Sequence, residues 1–114
     1  MVLLLTIYHY KILFTGDIEA QTENLLINAH VLSKINILQV AHHGSKTSST
    51  LPFLKIVNPE IALISGHHQK RRPFPNIETI NNLKKINAHI YYSGKNKTVI
   101  IRMYSQHYDI ITLS

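Results

Sequence analysis

The stretch Ile35-Asn36-Ile37-Leu38-Gln39-Val40-Ala41-His42-His43-Gly44-Ser45 decides how the rest of the chain is read. Its first seven residues form an apolar run of strand length, and two histidines, a glycine and a serine follow without a break. Short apolar runs bounded by turn residues mark buried strands. The carboxyl ends of such strands are where α/β proteins gather functional groups. A run upstream, Lys11-Ile12-Leu13-Phe14-Thr15, ends in Gly16-Asp17, and one downstream, Glu60 to Ser65, ends in Gly66-His67-His68. Carboxylates and imidazoles are ligands for hard and borderline metal ions, so these strand ends offer half of a metal site.

Working outward, Val2 to Tyr8 and Lys11 to Thr15 flank His9-Tyr10 as a β-hairpin. Glu19 to Ala29 reads as a helix capped by Asp17, and Leu51 to Val57 as a second, with Ser49 or Thr50 as N-cap and Pro52 in its first turn. Asn58-Pro59 stops that helix. After the basic loop Gln69 to Pro75, Asn76 caps a third helix whose core face is Ile77, Ile80, Leu83 and Ile86. His89 to Tyr92, Thr98 to Tyr104 and Tyr108 to Leu113 supply further strands. Strand and helix alternate throughout, which predicts one α/β domain with a mixed sheet.

The 114 residues contain enough apolar content for an ordinary core and no uninterrupted apolar stretch of membrane-spanning length. The start, Met1 to Ile7, lacks the basic flank and small-residue cleavage site of a signal peptide and is read as a strand. Cysteine is absent, which excludes disulfides and leaves His, Asp and Glu as the metal ligands. Twelve Lys and Arg against six Asp and Glu give a net charge of +6. That balance suits an anionic partner such as nucleic acid, and equally a merely basic soluble protein.

Each candidate residue has a bland reading beside the functional one. Asp17 is either a metal-ligating carboxylate on a tight glycine turn or a helix cap. Of His42 and His43, adjacent side chains diverge, so one ligates a given ion and the other orients substrate or ligand; the plainer reading is a polar loop. Ser45, Lys46, Thr47 and Ser48 suit phosphate oxygens near a helix N-terminus. His67, His68, Arg71 and Arg72 form a phosphate-binding rim or a solvated basic loop. Tyr91-Tyr92 offers a stacking ring, or two rings on alternate faces of a strand.

Taken in order, Leu13-Phe14-Thr15-Gly16-Asp17-Ile18-Glu19, Val40 to Ser49, and Val57-Asn58-Pro59-Glu60-Ile61-Ala62-Leu63-Ile64-Ser65 resemble one family. They resemble the C-terminal metallo-β-lactamase-fold domain of the ComEC competence (DNA-uptake) family, over about Val2 to Ile101. The resemblance implies an αββα sandwich, zinc or manganese at the strand ends, and a phosphodiesterase that degrades the DNA strand left outside the cell. Position by position, Asp17 matches the late metal-bridging aspartate, and His42-His43 the late histidine motif. Such domains draw most ligands from an earlier His-x-His/Asp-x-Asp-His loop, which this sequence lacks. They also carry a His-Pro where this chain has Arg72-Pro73.

The expectation is a partial metallo-β-lactamase-like sandwich: residues 1–114 as the C-terminal half of the domain, inactive as an isolated chain. Its expected partners are DNA, the missing N-terminal half or a membrane channel protein, and a second copy held through an uncovered sheet face. The alternatives are a non-catalytic basic nucleic-acid-binding module and a subunit completed by a separately encoded N-terminal half. Location is expected to be cytoplasmic from the sequence, and membrane-associated if the chain is joined to the family's channel domain.

Overall fold

The computed structural model describes residues 1–66, 75–96 and 98–113. Strands β1 (Leu3–Ile7) and β2 (Tyr10–Phe14) pair antiparallel, from Leu3 opposite Phe14 to Ile7 opposite Tyr10, as the hairpin reading expects. β3 (Ile37–Gln39), β4 (Ile61–Ile64) and β5 (His89–Tyr92) then add in parallel, giving a mixed sheet in the order β1-β2-β3-β4-β5. Parallel neighbours need crossover connections. These are supplied by α1 (Ala20–Asn28), α2 (Leu51–Val57) and α3 (Ile77–Lys85).

All three helices pack on one face of the sheet. Leu13, Leu38, Val40, Ala62 and Ile64 meet Phe53, Leu54 and Val57 of α2 and Leu83 of α3 in a single cluster, with Ile27 of α1 against it. Full burial of each Leu, Ile, Val or Phe side chain contributes about 1.5–3 kcal/mol. Pro52 sits in the first turn of α2, and Asn58 ends that helix in the left-handed region (φ +37°). At α3 the Asn76 side chain accepts from the Glu78 amide at 2.9 Å, the cap anticipated from sequence.

Two helix details differ from expectation. Asp17 does not cap α1: the N-cap position belongs to Glu19, and Asp17 stands in the preceding turn, which closes through the Ile18 amide and the Thr15 carbonyl. On α3, Ile77 is 66% exposed while Thr79 and Leu83 are buried. At 3.6 residues per turn, position 77 lies roughly 200° round the helix from 79, off the core face.

The opposite face of the sheet is only partly covered. β6 (Thr98–Met103) and β7 (Tyr108–Leu113) form a separate antiparallel ribbon rather than extending from β5, with Ser93–Asn96 as a helical turn before it. Arg102 and Asp109 clasp bidentately across the ribbon at 2.8 and 2.9 Å. Tyr108 seats the ribbon on the sheet: its ring meets Tyr10 edge-on at 5.2 Å, and its hydroxyl donates to Glu60 Oε2 at 2.5 Å. The layers are helices, sheet and ribbon, an α/β sandwich with a thin third layer. By strand alternation and register, Leu3, Leu5 and Phe14 share the ribbon's side with Tyr10, and they remain 52%, 39% and 37% exposed.

Candidate functional site

Because β2, β3, β4 and β5 run parallel, their carboxyl ends lie along one edge. Phe14 is opposite Gln39, and Gln39 opposite Leu63. Thr15-Gly16-Asp17, Val40 to Gly44 and Ser65-Gly66 therefore leave the sheet side by side. The chain after Val40 does not continue as a strand but coils into a 3-10 turn, Ala41–Gly44. His43 adopts φ +53°, a left-handed conformation uncommon for a residue with a Cβ. Its Nδ1 lies 2.8 Å from the Ser65 carbonyl oxygen. A carbonyl only accepts, so Nδ1 is the donor in this contact, and in the neutral imidazole Nε2 is then the acceptor of the ring. That second contact is how a metal-binding imidazole is usually oriented. Asp17 and the His43 residue are both solvent-exposed at this edge.

The turn is braced from every side. Glu23 of α1 is fully buried, and its carboxylate accepts from the amides of Ser49 (2.6 Å) and Thr50 (2.9 Å) and from the Thr50 hydroxyl (2.9 Å). Ser48 Oγ donates to the Ile18 carbonyl at 2.6 Å, and the Ala20 amide to the Thr47 carbonyl at 2.9 Å. From α3, Thr79 Oγ1 donates to the Ser45 carbonyl at 3.1 Å, and the Asn76 amide reaches the Gly44 carbonyl at 2.9 Å. Gly44 has φ +78°, and a Cβ there would stand 2.6 Å from Pro75 Cβ, so only glycine fits without displacement.

These contacts revise what the hydroxyl-rich segment does. Ser45 and Ser48 are buried: Ser45 Oγ is 2.9 Å from Thr47 Oγ1, and Ser48 is spent on Ile18. Lys46 and Thr47 stay exposed. The α2 N-terminus, expected to suit phosphate oxygens, already holds an anion of the protein's own, because Glu23 occupies the Ser49 and Thr50 amides. His67, His68, Arg71 and Arg72 lie outside the described residues. Tyr91 and Tyr92 do take alternate faces. Tyr92 packs against the helix-side core, while Tyr91 lines a cavity of about 230 Å³ with Gln39, Leu63, Ser65, Ser93 and Val99.

Sequence reasoning did not single out Glu23, Gln39 or Thr79. Gln39 alone carries a signal, a polar residue inside an apolar run; Glu23 and Thr79 sit among other polar helix residues. Among the described residues, no group of three or more His, Cys, Asp or Glu comes together to hold a metal ion. Asp17 and His43 suit a metal singly, but two donors fall short of the three or four that zinc sites use.

The profile of the metallo-β-lactamase superfamily matches residues 1–68. The chain belongs to that superfamily. Metal dependence is general in the superfamily, and the mixed-sheet α/β architecture agrees with membership. Similar proteins include Recombination protein 2 of Haemophilus influenzae, 32% identical over 100 residues, 88% of this chain and 12% of that protein. ComE operon protein 3 of Bacillus subtilis is 29% identical over 90 residues, 79% of this chain and 12% of that protein. Competence protein ComA of Neisseria gonorrhoeae is 33% identical over 79 residues, 68% of this chain and 11% of that protein. These relatives are competence proteins of the ComEC family, the family that the segments Leu13 to Glu19, Val40 to Ser49 and Val57 to Ser65 resemble. The chain thus spans about an eighth of each relative's length. Among the described residues no helix is long and apolar enough to cross a membrane.

Proposed function

We propose that this chain carries the C-terminal, site-bearing half of a competence-associated, metal-dependent DNA phosphodiesterase, inactive in isolation because its described residues bring too few donors together. The observation that carries the proposal is the meeting of the Gly16-Asp17 turn and the His42-His43 turn at one sheet edge, with the His43 ring oriented by Ser65. Zinc or manganese bound there would supply a Lewis acid beside the phosphodiester. Two donors do not close such a site, so no chemical step is assigned to the chain alone.

The rest of the molecule supports incompleteness. Leu3, Leu5 and Phe14 form an exposed apolar surface on the face that the two-stranded ribbon leaves open. A complementing half bringing strands and ligands would cover it. Without that half, a second copy is the available occupant. Its +6 charge suits DNA, and a membrane-side location would follow from a channel-bearing partner.

The test mixes pure chain with a purified polypeptide carrying the earlier ligand loop of a relative's domain. We expect manganese- or zinc-dependent DNA cleavage from the mixture only, abolished by Asp17→Ala and by His43→Ala. Cleavage by the chain alone would overturn the half-enzyme reading. A mixture that assembles but cleaves nothing would overturn the nuclease reading. The net charge favours one other reading, a non-catalytic nucleic-acid-binding module; its signature is salt-dependent DNA binding that EDTA leaves unchanged.

A further inference from the structure

We infer that Gln39 is a positioning residue whose carboxamide fixes the Gly16-Asp17 turn against the His42-His43 turn. The inference rests on the proposed function only for what the two turns are for; the tie itself stands on geometry. Gln39 is the last residue of β3, half-buried on the ribbon side of the sheet. The β2–β3 ladder ends at Phe14 opposite Gln39, so the next amides of β2's chain, Thr15 and Gly16, have no strand partner left. Gln39 supplies one. Its Oε1 accepts from the Thr15 amide at 3.0 Å and from the Gly16 amide at 2.9 Å. Its Nε2 donates to the Val40 carbonyl at 2.8 Å. In return Thr15 Oγ1 donates to the Gln39 carbonyl at 2.5 Å.

Asp17 is consequently held on both sides. Gly16, with φ +58°, is tied to the end of β3, two residues before the turn Ala41–Gly44 that carries His42 and His43. Ile18 is tied through its carbonyl to Ser48, just beyond that turn. Neither bond engages the Asp17 side chain, so its carboxylate is placed by the backbone on either side of it. The chemistry demanded of residue 39 is narrow. It must accept twice from one oxygen and donate once, which a carboxamide of glutamine length does. Leucine keeps the bulk and loses all three bonds. Glutamate keeps the acceptors but opposes its second oxygen to the Val40 carbonyl.

The test is backbone amide hydrogen exchange by NMR on the full chain, with Gln39→Leu and Gln39→Glu beside the wild type, followed by a manganese titration. In Gln39→Leu we expect the Thr15 and Gly16 amides to exchange on the order of tenfold faster, the loss of about one net hydrogen bond. Leu38 and Leu63 should be unchanged, and Gln39→Glu should restore most of the Thr15 and Gly16 protection. Paramagnetic broadening by manganese should reach Asp17 and His43 together in the wild type, and at separate concentrations in Gln39→Leu. Unchanged exchange at Thr15 and Gly16 in Gln39→Leu would overturn the tie. Joint broadening at the wild-type concentration in that variant would overturn the positioning role even with the metal reading intact. Broadening of neither residue in the wild type would instead sink the metal reading, with the tie still decided by exchange. If Gln39→Leu does not fold, Gln39→Glu carries the test: loss of protection at both amides there would count against the tie.

Discussion

Glu23 is the residue whose replacement should be felt most. Its carboxylate takes two backbone amides and a hydroxyl, all inside the protein, and joins α1 to the start of α2 just after the His42-His43 turn. In Glu23→Ala the buried Ser49 amide is left with no acceptor, while the part-buried Thr50 amide can turn to water. The stranded Ser49 donor costs about 1–3 kcal/mol, against a total stability of about 5–15 kcal/mol for a domain of this kind. Glu23→Gln is the sharper test because it preserves shape. One amide oxygen can still serve Thr50, while the new NH₂ group faces the Ser49 amide, donor against donor, for a loss of about 1–3 kcal/mol. Urea unfolding followed by far-UV circular dichroism reads both. With a slope of about 1–3 kcal/mol/M, the Gln variant should unfold at least about 0.3 M earlier. A Glu23→Gln midpoint within about 0.1 M of wild type would refute the assignment of this carboxylate as an internal cap.

Other consequences follow from the same contacts. Gly44→Ala places a Cβ at φ +78° and 2.6 Å from Pro75, and should cost roughly 2–5 kcal/mol by thermal unfolding; a neutral outcome would contradict the close approach. Burial and the Glu60 hydrogen bond push the Tyr108 phenol above its ordinary value. A raised folded-state pKa means a contribution fully present below the unfolded value of about 10 and lost progressively as pH rises above it. Wild type should therefore lose stability above that pH by more than Tyr108→Phe does, measured as unfolding midpoints across the alkaline range; parallel curves would count against the docking contact. Leu5→Thr with Phe14→Thr should reduce self-association seen in sedimentation velocity, and identical profiles would show that the open face is not the contact.

Much of this was legible in the sequence because the deciding signals are local. Apolar runs of strand length ending in Gly16-Asp17, His42-His43 and Gly66 give β2, β3 and β4, and parallel pairing then forces the three ends to one edge. Asn76 and Pro52 marked helix starts by capping chemistry that acts within a turn. What the sequence concealed depends on contacts between distant residues. Glu23 reads as an ordinary helix-surface carboxylate until α2 is packed beside it, 26 and 27 positions away in sequence. Gln39 sits inside an apolar run, and its role exists only once the β2 turn lies alongside. The misplacement of Ile77 and the mistaken cap at Asp17 share a cause: local pattern sets a helix's existence better than its rotation or its first residue.

The claim at the centre is that Asp17 and His43 form one half of a single metal site. Zinc titration calorimetry on the pure chain tests it most directly, with Asp17→Ala and His43→Ala alongside. The account predicts weak binding that either substitution removes and that tightens when the complementing half is added. Tight binding by the chain alone, or weak binding that both substitutions leave untouched, would contradict it.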